Sequence, residues 1–139
     1  MIVLDTNVIS ELWKPAPDHN VMTWVNAQMV ETLYLSAVTV AELRFGLAML
    51  PKGKRRALYQ ARLEQDVLPA FSARVLPFDL NASGAYAELM VRARSAGKAI
   101  GKADGYIAAA AAVRGFAVAT RDVGPFEAAG IEVINPWVG

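Results

Sequence analysis

Four carboxylates carry the chemistry open to this sequence. Asp5 stands directly after the apolar run Ile2–Leu4 in "IVLDTNVISEL", Glu42 sits in "TVAELRFG", Asp104 in "KADGYIAAAAAVRG", and Asp122 closes "VATRD". Gathered in one cleft, such groups repel and raise one another's pKa. A hard divalent cation removes that conflict, and with no cysteine and one histidine in the chain the ligands on offer are oxygens. This donor set favours Mg²⁺ or Mn²⁺, ions that meet phosphate oxygens and stabilise charge on a phosphodiester as it is cleaved. Each acid also has an ordinary structural use. Asp5 can cap the helix that follows it. Glu42 stands three residues after Thr39, the spacing of a capping box. Asp104 suits a helix N-terminus, and Asp122 suits a turn. The functional reading depends on all four reaching one place.

The elements around them are predicted to bring them there. Met1–Leu4, Thr32–Ala37, Arg74–Phe78, Phe116–Thr120 and Ile131–Pro136 read as five strands. Between them lie helical patterns over Asn7–Trp13, Val21–Val30, Val38–Leu50, Lys54–Leu68, Asn81–Ala96 and Ala103–Arg114, the last two closed by Gly97 and Gly115. Expected inward residues are Val21, Trp24, Val25 and Met29 on the second helix and Leu58, Leu63 and Val67 on the fourth. Alternating strands and helices with apolar strand runs define an α/β fold with a parallel sheet buried on both faces. Ligands of such sheets bind outside the carboxyl ends of the strands. Asp5, Glu42 and Asp122 each follow a strand. Asp104 precedes one, but its helix runs out about 18 Å and the return strand covers about 20 Å. Asp122 therefore comes back level with Asp104.

Composition narrows the alternatives. The 139 residues are expected to form one domain spanning 1–139, with 55% apolar and 19% charged residues. A formal net charge of +1 gives no general affinity for nucleic acid, so any basic surface must be local. The densest positive stretch is "KGKRR", Lys52–Arg56; it reads first as a solvated helix start and second as a guide for a phosphate backbone. Arg44 either meets such a backbone or pairs with a nearby acid. His19, in "PAPDHN", reads as a solvated loop residue, and Trp13, Trp24, Met22 and Met29 read as core or interface. The longest apolar run, Tyr106–Val113, is too short for a bilayer span and no signal peptide is visible, so a soluble, cytoplasmic chain without membrane contact is expected. No glycine-rich phosphate loop of a nucleotide-cofactor fold is present.

At the four acidic segments, taken in order and ending in "NPW" (Asn135–Trp137), the sequence resembles the PIN-domain ribonucleases, and among them the VapC-type toxins of bacterial toxin–antitoxin pairs. The resemblance implies a PIN-like three-layer α/β/α fold with a mostly parallel sheet of about five strands. It implies metal-dependent cleavage of RNA by Asp5, Glu42, Asp104 and Asp122 around one or two Mg²⁺ or Mn²⁺ ions. Asp5 and Asp104 are expected in closest contact, with Glu42 and Asp122 acting directly or through water. Thr6, Asn7 and Thr120 are expected to support the acids or touch substrate, although Thr6 and Asn7 equally suit a helix start and Thr120 a strand end. The implied partners are RNA, a cognate antitoxin with a DNA-binding domain, and a second copy in a homodimer that joins a higher assembly. The competing reading is a regulatory subunit of an antitoxin–DNA complex with little free nuclease activity. A phosphotransfer receiver domain fits less well, because Ala37 and Phe78 close the second and third strands where it would need its phosphorylated aspartate.

Overall fold

The structure, a computed structural model, describes residues 1–138; of the expected 1–139 unit only Gly139 lies outside the described residues. Five short strands, β1 (Ile2–Leu4), β2 (Leu33–Ser36), β3 (Val75–Leu76), β4 (Ala117–Ala119) and β5 (Val133–Ile134), form one sheet in the order β3-β2-β1-β4-β5. Every pairing is parallel; Val3 lies opposite both Tyr34 and Val118. The helices are α1 (Thr6–Leu12), α2 (His19–Asn26), α3 (Ala37–Ala48), α4 (Lys54–Arg62), α5 (Leu68–Ala70), α6 (Leu80–Ser95), α7 (Lys102–Ala112) and α8 (Val123–Ala128).

Successive strand residues point to opposite faces, and both faces are apolar. Val3 and Val118 pack with Leu89 of α6, Ile107 of α7 and Phe126 of α8. Leu4, Leu33, Leu35 and Ala119 pack with Val8 and Ile9 of α1 and with Leu43 and Leu47 of α3. The result is the three-layer α/β/α arrangement. The alanine run Ala108–Ala111 is fully enclosed, since small side chains let α7 lie close against sheet and neighbouring helix. The chain builds β2 and β3 on one side of β1, then crosses to β4 on the other. The crevice at the carboxyl ends of β1 and β4 is thus a topological switch point, where open α/β sheets place their sites.

Local structure departs from the sequence expectations in five places. Helix α2 ends at Asn26, and Met29 precedes a 3₁₀ turn (Val30–Thr32) with its side chain 69% exposed instead of inward. The inward residues here are Tyr59 of α4 and Leu63 just past its end, four apart; Leu58, about 100° around the helix from Tyr59, is 52% exposed. Leu63–Val67 form a π turn that widens the helix before α5. His19 is the first residue of α2, not a loop residue, though it is exposed as expected. Helix α8 was not anticipated, since Asp122 suits a turn and no helix is expected after it; proline is tolerated in a first helical turn, whose N–H groups have no intrahelical acceptor.

Gly105 shows how tightly α7 is seated beside Asp104. A β-carbon there would come within 2.9 Å of Met90 Sδ and of the Tyr86 ring, both on α6. Gly105→Val is therefore expected to destabilise the protein by about 1–3 kcal/mol, seen as a lower urea midpoint with an unchanged m-value.

Candidate active site

The residue order "LDTN" sets the first wall. Strand β1 continues one bond beyond Leu4, with Asp5 N donating to Ala119 O at 2.9 Å, and Asp5 then becomes the N-cap of α1. The residue is 4% exposed, and its two carboxylate oxygens divide the work. Oδ1 accepts from Thr6 N at 2.8 Å; Oδ2 accepts from Thr120 Oγ1 at 2.8 Å and from Asn7 Nδ2 at 3.4 Å. The capping role and membership of the acidic site coexist in one side chain. Thr120 follows β4 and also accepts from Asp122 N at 3.0 Å, which fixes the chain as it turns into α8. Asn7 Oδ1 accepts from Arg121 N at 3.4 Å, so Asn7 ties the start of α1 to the same turn.

Glu42 reaches the site from the second turn of α3. The N-cap of α3 is Ser36, whose Oγ accepts from Val38 N at 3.0 Å, so the Thr39–Glu42 spacing is not a capping box. Instead Thr6 Oγ1 donates to Glu42 Oε1 at 2.6 Å and lies 3.2 Å from the fully buried Thr39 Oγ1. Asp104 stands in the first turn of α7, and Asp122 precedes α8 without making a side-chain cap.

All four acids line one cavity of about 390 Å³, whose wall also carries Lys14 and Arg121. Burial, first of all, pushes the Asp104 carboxyl up to about 6, and the charges of Asp5, Asp122 and Glu42 add to the rise. Asp5 is also raised, chiefly by burial, against the lowering effect of the Thr120 and Thr6 hydrogen bonds. Among the described residues no three acidic or histidine side chains are already closed on one ion position. The acids ring a space. A ligand set of oxygens around a space wide enough for water suits Mg²⁺ or Mn²⁺, which keep several of their waters. The donor chemistry and the unneutralised charge both fit such an ion.

Glu11 is the residue that sequence reading missed. It is buried, lines the same cavity, and accepts from Lys14 Nζ at 2.9 Å and from Asp18 N at 3.0 Å. The Lys14 hydrogen bond, followed by that from Asp18 N, holds its carboxyl below the usual range. The i,i+3 pair in "ELWK" was the available signal. Arg44 pairs with the nearby acid Glu64 through two hydrogen bonds of 2.8 and 3.0 Å. Arg121 lies over the Trp137 ring at 5.4 Å, bringing the "NPW" segment to the cavity wall.

With its parallel sheet and ringed acids, the chain belongs to the PIN-domain family, whose model matches residues 2–131. It is 69% identical over 137 residues to the VapC ribonuclease Y4jK of Sinorhizobium fredii (strain NBRC 101917 / NGR234), across 99% of this chain and 98% of that protein. It is 50% identical over 137 residues to toxin FitB of Neisseria gonorrhoeae (strain ATCC 700825 / FA 1090), across 99% of each. A solved structure of FitAB bound to an IR36 DNA fragment superposes with a TM-score of 0.96 at 49% identity, covering 99% of this chain and 96% of that one. Among the described residues no helix is long and apolar enough to cross a membrane.

Two outcomes follow from the charge arrangement. A carboxyl whose folded pKa is raised from 3.8 to about 6 penalises the fold fully above pH 6, and the penalty fades as pH falls towards 4. Glu11 and Glu64, with lowered folded values, lose their contributions only below about pH 4.5. Metal-free protein is therefore expected to have a higher urea midpoint near pH 5 than near pH 7, and Asp104→Asn to flatten that difference. Thr120→Val removes one donor from the buried Asp5 carboxylate at constant shape. It is expected to cost about 1–3 kcal/mol at pH 7, as measured by urea unfolding.

Proposed function

We propose that this chain is the toxin of a toxin–antitoxin pair and acts as a Mg²⁺- or Mn²⁺-dependent endoribonuclease, with residues 1–139 working as a single PIN domain. The observation that carries this reading is the cavity in which Asp104 faces the charges of Asp5, Asp122 and Glu42. No salt bridge neutralises any of the four among the described residues, since the two ion pairs there are Lys14–Glu11 and Arg44–Glu64. The likeness to a VapC ribonuclease and to a toxin supports the same reading.

Asp5, Asp104, Glu42 and Asp122 would hold the ion, with Asp5 and Asp104 nearest. When bound, the ion supplies positive charge that offsets the carboxylates and stabilises charge building on the phosphodiester oxygens. The chain's own groups do the positioning. Thr6 N, Asn7 Nδ2 and Thr120 Oγ1 fix both oxygens of Asp5, and the Thr6 hydroxyl aims Glu42. Lys14 and Arg121, on the cavity wall, offer charge to the RNA backbone beside the acids. A cognate antitoxin with a DNA-binding domain is proposed to hold the enzyme silent in a larger assembly containing a homodimer of this chain, in the cytoplasm; the likeness to FitAB bound to DNA supports that partnership.

Purified free protein should cut a mixed pool of structured and single-stranded RNA in Mg²⁺ or Mn²⁺, and EDTA should stop it. Asp5→Asn is expected to lower the rate on the order of 100-fold or more with folding retained. A folded wild type that binds Mn²⁺ and its antitoxin but cuts no RNA would instead make the chain a regulatory subunit.

A further inference from the structure

A groove of about 290 Å³ opens beside the acidic cavity, and Thr6, Ser10, Lys14 and Glu42 belong to the walls of both. Its far end is aromatic. Trp13, at the C-terminal cap of α1, and Tyr59 of α4 line it with their rings 8° from parallel and 6.2 Å apart between centroids. The Arg55 guanidinium lies 5.7 Å from the Tyr59 ring centre and also lines the groove. Leu43 and Leu47 add an apolar surface. Helix α1 is about 10 Å long. Since Asp5 caps one end and Trp13 the other, the aromatic walls stand one short helix from the acids.

These features select a ligand. An apolar segment of protein would use the leucines and leave Arg55, which forms no salt bridge among the described residues, without a counter-charge. A nucleotide uses everything present: a base stacks on flat aromatic faces, and phosphates meet Lys14 and Arg55. The volume, at the lower end for ligand sites, suits one base with its sugar. The "KGKRR" segment supports a polyanion, because Lys54, Arg55 and Arg56 open α4 just after Lys52, Arg55 lines the groove, and none of the four forms a salt bridge among the described residues. We infer that the groove is a nucleobase-stacking subsite for the RNA substrate, with Tyr59 and Trp13 as the platform and Lys14 and Arg55 as backbone contacts. This rests on the ribonuclease reading and extends it to how the strand is held next to the bond that is cut.

The test uses the full chain in EDTA, so that binding is read without cleavage. Two probes are compared by fluorescence anisotropy: a nine-residue oligouridylate carrying 5-iodouridine, and a nine-unit abasic ribose–phosphate polymer of equal charge. Wild type is expected to prefer the polymer with bases by roughly 5- to 100-fold, and Tyr59→Leu to bring that ratio towards one. Arg55→Ala is expected to weaken both probes alike and to reduce the salt slope by about one. Ultraviolet cross-linking of the iodouridine probe to wild type, mapped by mass spectrometry, should mark Tyr59 or Trp13 and does not depend on a variant folding. A wild-type ratio near one, or a ratio that Tyr59→Leu leaves unchanged, overturns the subsite. So does a groove that takes an amphipathic peptide while the polymer ratio ignores Tyr59. If such a protein still cuts RNA in Mg²⁺, the ribonuclease reading stands without the subsite. If base-dependent binding through Tyr59 is found but no RNA is cut, the subsite stands and the ribonuclease reading falls.

Discussion

Thr120 Oγ1 donates to Asp5 Oδ2 over 2.8 Å, joining two residues 115 positions apart at the carboxyl ends of β1 and β4. Much of the site depends on that bond. The carboxylate of a buried residue such as Asp5 is costly to keep charged unless its oxygens are occupied by donors. Here the donors are drawn from three directions: the first N–H of α1, the Asn7 amide, and the hydroxyl that closes β4. The same hydroxyl accepts from Asp122 N, so the bond that steadies Asp5 also sets where Asp122 stands. Strand pairing, helix capping and site geometry are thus carried by one small network, and all its members sit at the switch point of the sheet.

The electrostatics run the opposite way from an ordinary surface network. Lys14 is occupied by Glu11, Arg44 by Glu64, and Arg121 lies over Trp137. None of these cations forms a salt bridge with the four acids among the described residues, and the repulsion among the acids persists in the folded chain. Ligand sites commonly store unfavourable energy of this kind. A cation entering the cavity relieves it, so affinity and fold stability are linked: whatever binds the folded state alone also holds it folded.

How much of this is legible in the sequence varies with the range of the interaction. The apolar strand runs and the helix-ending glycines Gly97 and Gly115, both at positive φ, are local signals, and the elements they mark are found close to where they are expected. Asp104 was the harder residue, placed by comparing the length of its helix with that of the returning strand; it does line the same cavity as Asp122. Misreadings arose where tertiary packing overrides a local pattern. Leu58 lies outside because Tyr59 takes the inward face, and the Thr39–Glu42 spacing looks like a cap although Ser36 already caps that helix. Glu11 escaped notice because an i,i+3 charge pair is ordinarily a solvated feature; its burial comes from Asp18 folding back onto it, which no short motif records.

Helix α1 shows why the support of the acids and the reach of the site belong together. Its first turn is fixed by Asp5, its inner face by Val8 and Ile9 in the core, and its end by Trp13 packed against the core beside Tyr59. Those anchors make the helix a rigid spacer between the acidic cavity and the aromatic groove. Thr6 and Ser10, one turn apart on its exposed side, line both spaces. A ligand lying along this face touches the groove and the acids without the helix having to move. Rigid elements hold reacting groups more accurately than loops do. The helix whose first N–H and Asn7 amide satisfy the buried charge of Asp5 at one end therefore also sets the distance between the acidic cavity and the aromatic groove.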